Sequence, residues 1–205
     1  LEAMLSAMDE YAPKFWQYLK AKGKRLGHEN GLPWYDLFAP MGSSSTKYTT
    51  EESRDLLVKL FSTFDQELAD MVARAFDEAW IDFYPRDGKR GGAFCSSIHA
   101  IGESRILTNY DGMFTDVVTL AHELGHAYHD HCIHHLDNAL LGYPMTLAET
   151  ASIFAETIVM EDMLSKTEGY EKAKLAEMHL SDGCQVLVDI LSRFYFEKSV
   201  FEKKD

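Results

Sequence analysis

His122-Glu123-Leu124-Gly125-His126 constrains this chain more than any other stretch of it. Histidines four residues apart on a helix are offset by about 40° around the axis and one turn along it, so both imidazoles reach one ion. Glu123 falls about 100° round from His122, at the side of the pair, where a general base can work without ligating. A His-Glu-x-x-His pattern also arises by chance in roughly one of a few hundred chains of this length, so its surroundings must carry the argument. Val117, Val118, Leu120, Ala121, Leu124 and Tyr128 repeat at helical spacing around it and predict a rigid apolar support. Gly125 inside that helix costs on the order of 1 kcal/mol relative to Ala, which calls for a packing reason such as the close approach of another backbone.

A catalytic zinc takes three protein ligands and keeps one position for water. His129 shares a face with His122 but lies about 10 Å further along the axis, too far to join both histidines; it reads as a second-shell or substrate-side residue, or as a plain surface histidine. His131, His134 and His135 point to several faces of a helix that is ending and read as solvated. Glu149 fits the third position, because a break at Gly142-Tyr143-Pro144 lets the chain reverse and return the next helix antiparallel. The competing reading is a capping box, Thr146 to Glu149, in which the carboxylate bonds backbone and not metal. Glu156 returns to the face of Glu149 two turns later and can orient His122 through its other ring nitrogen, or lie exposed on the helix.

Around this centre the pattern is mainly α with a small antiparallel β-sheet. Leu1, Met4, Leu5, Met8, Phe15 and Leu19 mark a first helix, followed by an aromatic loop over 31–40 and a small polar run, Gly42-Ser43-Ser44-Ser45. Thr49 with Glu52 forms a capping box that opens a helical stretch to Trp80, with a break near Ser62 to Asp65. Ala93 to Ile98 and Arg105 to Asn109 suit strands, Thr115 or Asp116 caps the metal helix, and two helices over about 170–179 and 182–201 finish the chain. The expected organisation is one catalytic domain over 1–205: a helical part at 1–80, a loop and sheet at 81–112, a zinc-binding helix pair at 113–165 and C-terminal helices at 166–205.

Lys and Arg number 20 against 33 Asp and Glu, a net charge of −13, which disfavours nucleic acid as a partner. Three cysteines without framework spacing suit free thiols in a reducing compartment, no run reaches the length of a membrane span, and the start lacks a signal-peptide pattern, so a cytoplasmic protein is expected. Leu1 is not Met and is already in a helical pattern, as expected of a piece of a longer chain. Nothing in the pattern fixes an oligomeric state.

Further stretches resemble a known family. Asp82-Phe83-Tyr84-Pro85-Arg86-Asp87-Gly88-Lys89, Gly91-Gly92-Ala93-Phe94-Cys95, Ile101-Gly102-Glu103-Ser104-Arg105, Asn109-Tyr110-Asp111-Gly112 and Ala148-Glu149-Thr150-Ala151-Ser152, with the motif at 122–126, are similar to the thimet oligopeptidase and oligoendopeptidase F group of zinc metallopeptidases. Trp34-Tyr35-Asp36-Leu37 and Arg193 to Lys198 extend the likeness over most of the chain. The resemblance implies a zincin-like (gluzincin) catalytic domain truncated at both ends, Zn2+ on His122, His126 and Glu149, Glu123 as the base, and hydrolysis of oligopeptides. It also implies that Ala93, Phe94 and Cys95 form an edge that pairs with the substrate backbone. Family domains continue past the position of Asp205 into residues that hold substrate, so a non-catalytic zinc-binding fragment is the alternative; a helical binding module with an accidental motif is a third.

Overall fold

The computed structural model describes residues 1–42 and 46–204. The serines at 43–45 of the polar run lie outside the described residues. The chain divides into two compact units: Ser44–Lys166, and Leu1–Ser43 together with Thr167–Asp205.

In the second of these, helix α1 (Glu2–Arg25) packs with a long helical run. Its Tyr18 hydroxyl donates to Glu177 Oε1 at 2.7 Å, and the buried Lys22 Nζ donates to the same oxygen at 3.1 Å. The two expected C-terminal helices are one continuous run, α7 (Gly169–Cys184), a π-helical stretch Gln185–Ile190 and α8 (Leu191–Glu202). The expected break near 180–181 falls inside α7, and the π-helical stretch that follows carries the run on into α8 without ending it. The aromatic loop forms one 3-10 turn, Trp34–Asp36, tied back by His28 Nε2 and Asp36 Oδ2 at 2.6 Å.

In the Ser44–Lys166 unit, Thr49 and Glu52 make the reciprocal capping box expected for α2 (Thr50–Phe61). The break falls where expected, with Asp65 accepting from the amides of Glu67 and Leu68 to start α3 (Gln66–Asp77). That helix stops short of Trp80: Ala79 turns through a positive φ of 56°, and the buried Trp80 leads into strand β1 (Ile81–Asp82). Strands β2 (Phe94–Ile98) and β3 (Glu103–Leu107) pair antiparallel, while β1 pairs parallel with β3 in the order β1-β3-β2. The sheet is therefore mixed and not purely antiparallel, because a third strand of two residues, too short to show alternation, enters beside β3. Its order leaves β2 as an open edge.

Helix α4 (Phe114–Ile133) lies against this sheet and buries Val117, Val118, Leu120, Ala121, Leu124 and Ala127. Asp116 sits one turn inside and not at the cap, where its Oδ2 accepts from the amides of Asp111 and Met113 at 2.9 Å each. After a 3-10 turn at Asn138–Leu140 come the short α5 (Met145–Ala148) and α6 (Thr150–Lys166). Contacts of His122 with Glu156, Gly125 with Ser152 and His126 with Glu149 run in opposite senses along the two chains, so α6 is antiparallel to α4.

Candidate metal centre

Gly125 sets the distance between α4 and α6. A Cβ built there would lie 2.6 Å from Ser152 Cα and 2.7 Å from the Ala151 carbonyl oxygen, both backbone positions that cannot swing aside. The bare glycine lets the helices touch main chain to main chain, and the side chains one turn either way then converge. His122 Nε2 and His126 Nε2 stand 3.1 Å apart, and Glu149 Oε2 is 3.1 Å from the first and 3.3 Å from the second. Ligand atoms held at 2.0–2.1 Å by a tetrahedral ion stand about 3.3 Å from one another, so the three fit a single metal ion without rearrangement. The donor set points the same way, since two imidazole nitrogens and a carboxylate crowded this closely repel unless a proton or a cation lies among them.

Glu149 occupies the turn between α5 and α6. The alternative capping box does not form, because Thr146 lies inside α5, which begins after Pro144. The carboxylate is instead held by Ser152, whose wholly buried hydroxyl donates to Glu149 Oε2 at 2.7 Å. Sequence reasoning gave Ser152 no role; its spacing of three from Glu149, inside a helix, was the available signal. Glu156 meets His122 Nδ1, which fixes the ring and leaves Nε2 toward Glu149. That hydrogen bond raises the His122 pKa above its ordinary value, while burial lowers that of His126.

Glu123 is 6% exposed and ligates nothing in this cluster. Burial, seconded by the charges of Glu149 and Glu156, raises its pKa against the pull of His122. Among the described residues no cationic side chain pairs with this buried carboxylate, which lies beside the candidate metal triad with its pKa raised.

His129 does not join the triad. Its ring stacks on Tyr143 at 4.2 Å between centroids, and the Tyr143 hydroxyl donates to Asp130 Oδ1 at 3.3 Å, so the pair pins the connector that leads to Glu149. His131 pairs with Glu67 at 3.2 Å and is half-buried, whereas His134 and His135 are exposed. Phe94 and Cys95 open the edge strand β2 and Ala93 immediately precedes it: Phe94 faces solvent, and Cys95 turns toward α4, where burial pushes its thiol up to about 12.

Residues 50–199 match the sequence model of Peptidase family M3. Oligoendopeptidase F, chromosomal, of Lactococcus lactis subsp. cremoris is 28% identical over 98% of this chain and 33% of its own length. Oligopeptidase PepF of Bacillus subtilis is 26% identical over 88% of this chain and 27% of its own. A crystal structure from Chlamydophila abortus, described as of a peptidase, superposes with a TM-score of 0.73 at 26% identity, over 90% of this chain and 31% of that one. An oligoendopeptidase F structure from Bacillus anthracis gives 0.62 at 22% identity, over 88% and 34%. The chain thus spans about a third of the length of the relatives it matches.

Proposed function

The chain belongs to peptidase family M3, and on that premise we propose that it forms part of a zinc-dependent endopeptidase that hydrolyses oligopeptides with Glu123 as general base. The observation that carries this reading is the convergence of His122, His126 and Glu149 within 3.1–3.3 Å of one another beside a buried carboxylate. Zinc bound there would polarise the scissile carbonyl and lower the pKa of its water. Glu123 takes the proton as water attacks and returns it to the leaving amine, a task helped by the raised pKa that burial gives it. Glu156 holds His122 in one tautomer, and Ser152 holds Glu149. Ala93, Phe94 and Cys95 offer the unpaired edge of β2 to the substrate main chain, which gives affinity with little demand on side chains. Cys95 stays protonated at neutral pH, so it is not a rival nucleophile.

Among the described residues no helix is long and apolar enough to cross a membrane. The three free cysteines suit a reducing compartment, and the net charge of −13 suits peptide and not nucleic-acid partners. The test is cleavage of a short fluorogenic peptide. Glu123→Gln should retain zinc and lose at least about a hundredfold in rate; undiminished hydrolysis would sink the assignment. A second reading, a zinc-binding piece without turnover, draws on the one-third coverage of the relatives. It predicts bound zinc with no cleavage by these 205 residues, and cleavage by a longer chain that contains them.

A further inference from the structure

A cleft of about 260 Å³ opens beside the start of β2, between Gly92 and Ala93, the end of β3 at Thr108 and Asn109, and the first turns of α4 at Asp116 and Thr119. Thr119, His122 and His126 stand at i, i+3 and i+7, so the cleft lies on the metal-facing side of α4, about 4.5 Å along the axis from His122.

Its side chains present acceptors to a ligand. Asn109 spends both amide hydrogens on the carbonyls of Arg90 and Gly92, at 3.0 and 2.9 Å. The Thr108 hydroxyl donates to the Phe83 carbonyl and that of Thr119 to the Thr115 carbonyl. Asp116 uses Oδ2 to accept from two backbone amides, which leaves Oδ1, and among the described residues no cation pairs with it. The amide oxygen of Asn109 and the lone pairs of both hydroxyls remain as well. A cleft whose side-chain donors are all committed elsewhere, with a carboxylate in its wall, complements a group that only donates and carries positive charge.

We propose that this cleft holds the Lys or Arg side chain of a peptide paired with the open edge of β2, making the site selective for basic peptides. The proposal rests on the peptidase reading for its location and on the cleft's own chemistry for its ligand. Antiparallel pairing, the commoner arrangement, runs the peptide opposite to β2, so its C-terminal part reaches Ala93. Ala93 precedes by two residues Cys95, which packs toward α4 within electrostatic reach of Glu123. The basic residue therefore sits about two positions to the C-terminal side of the bond that is cut.

Titration calorimetry on the 205-residue chain in chelator, so that no bond is cleaved, tests this without turnover. Two blocked tetrapeptides differing only in one Arg or norleucine serve as probes at about 0.15 M salt. The Arg peptide should bind at least about tenfold tighter. Asp116→Asn keeps an oxygen for the two amides and should bring the two peptides within about twofold, with an unchanged melting curve. Equal binding of the two peptides, no binding of either, or a preference that survives Asp116→Asn overturns the proposal. If the preference is present and the fluorogenic peptide is cut neither by these 205 residues nor by a longer chain that contains them, the cleft stands and the peptidase reading falls.

Discussion

Ser152 is neither charged nor a ligand, yet its hydroxyl decides which way Glu149 points. Removing it should leave the carboxylate free to turn to solvent, because Glu149 itself is exposed. Ser152→Ala is expected to weaken zinc binding by about 10- to 100-fold while the metal-free protein melts nearly as before, measured by competition with a chromophoric chelator. Unchanged affinity would show that the turn alone positions the ligand. Cys95 gives a pH prediction. Its folded thiol sits near 12 against an ordinary 9.0, so the folded chain keeps the proton that the unfolded chain loses as pH passes 9. Stability owed to this group is full below pH 9 and declines between about 9 and 12. Alkylation at pH 8 should accordingly be slow at Cys95 in the native protein and fast after denaturation, by mass spectrometry; fast native labelling would refute its burial.

At the scale of elements, the crossing of α4 and α6 carries the site, and Gly125 carries the crossing. Ala normally favours a helix over Gly by about 1 kcal/mol, but here its Cβ would meet backbone at 2.6–2.7 Å. Gly125→Ala should therefore destabilise by about 1–3 kcal/mol in urea titration and lose zinc, because α6 must move away and take Glu149 with it. A stabilised variant that still binds the metal would contradict this packing. The crossing was legible in the sequence: helical spacing placed His122 beside His126, and an otherwise costly glycine asked for a close neighbour. The Thr49–Glu52 capping box and the two longer strands were legible for the same local reason. Strand β1 was not, since two residues show no period and its pairing depends on a partner more than twenty positions on. Nor was the continuity of Gly169 to Glu202, where α7 runs unbroken through the expected break near 180–181 and a π-helical stretch joins it to α8. Roles that depend on a contact across elements, such as the Tyr143 stack on His129, also leave no periodic trace.

At the scale of the whole molecule, the Ser44–Lys166 unit carries an open strand edge and, on the adjoining α4–α6 pair, a candidate metal triad with a buried carboxylate. Three mutually repelling acceptors brought together without a cation oppose folding, so the metal should act as a stabiliser. Zinc at about 100 times its dissociation constant is expected to add about 2.7 kcal/mol, seen as a raised melting temperature that chelator reverses. The most direct test of the central claim is the zinc content of the purified 205-residue chain by elemental analysis after exposure to the metal. One zinc per chain is expected, lost in His126→Ala and weakened in Glu149→Ala, with both variants still helical. A wild-type chain without stoichiometric zinc, or a His126→Ala chain that keeps it, would contradict that claim.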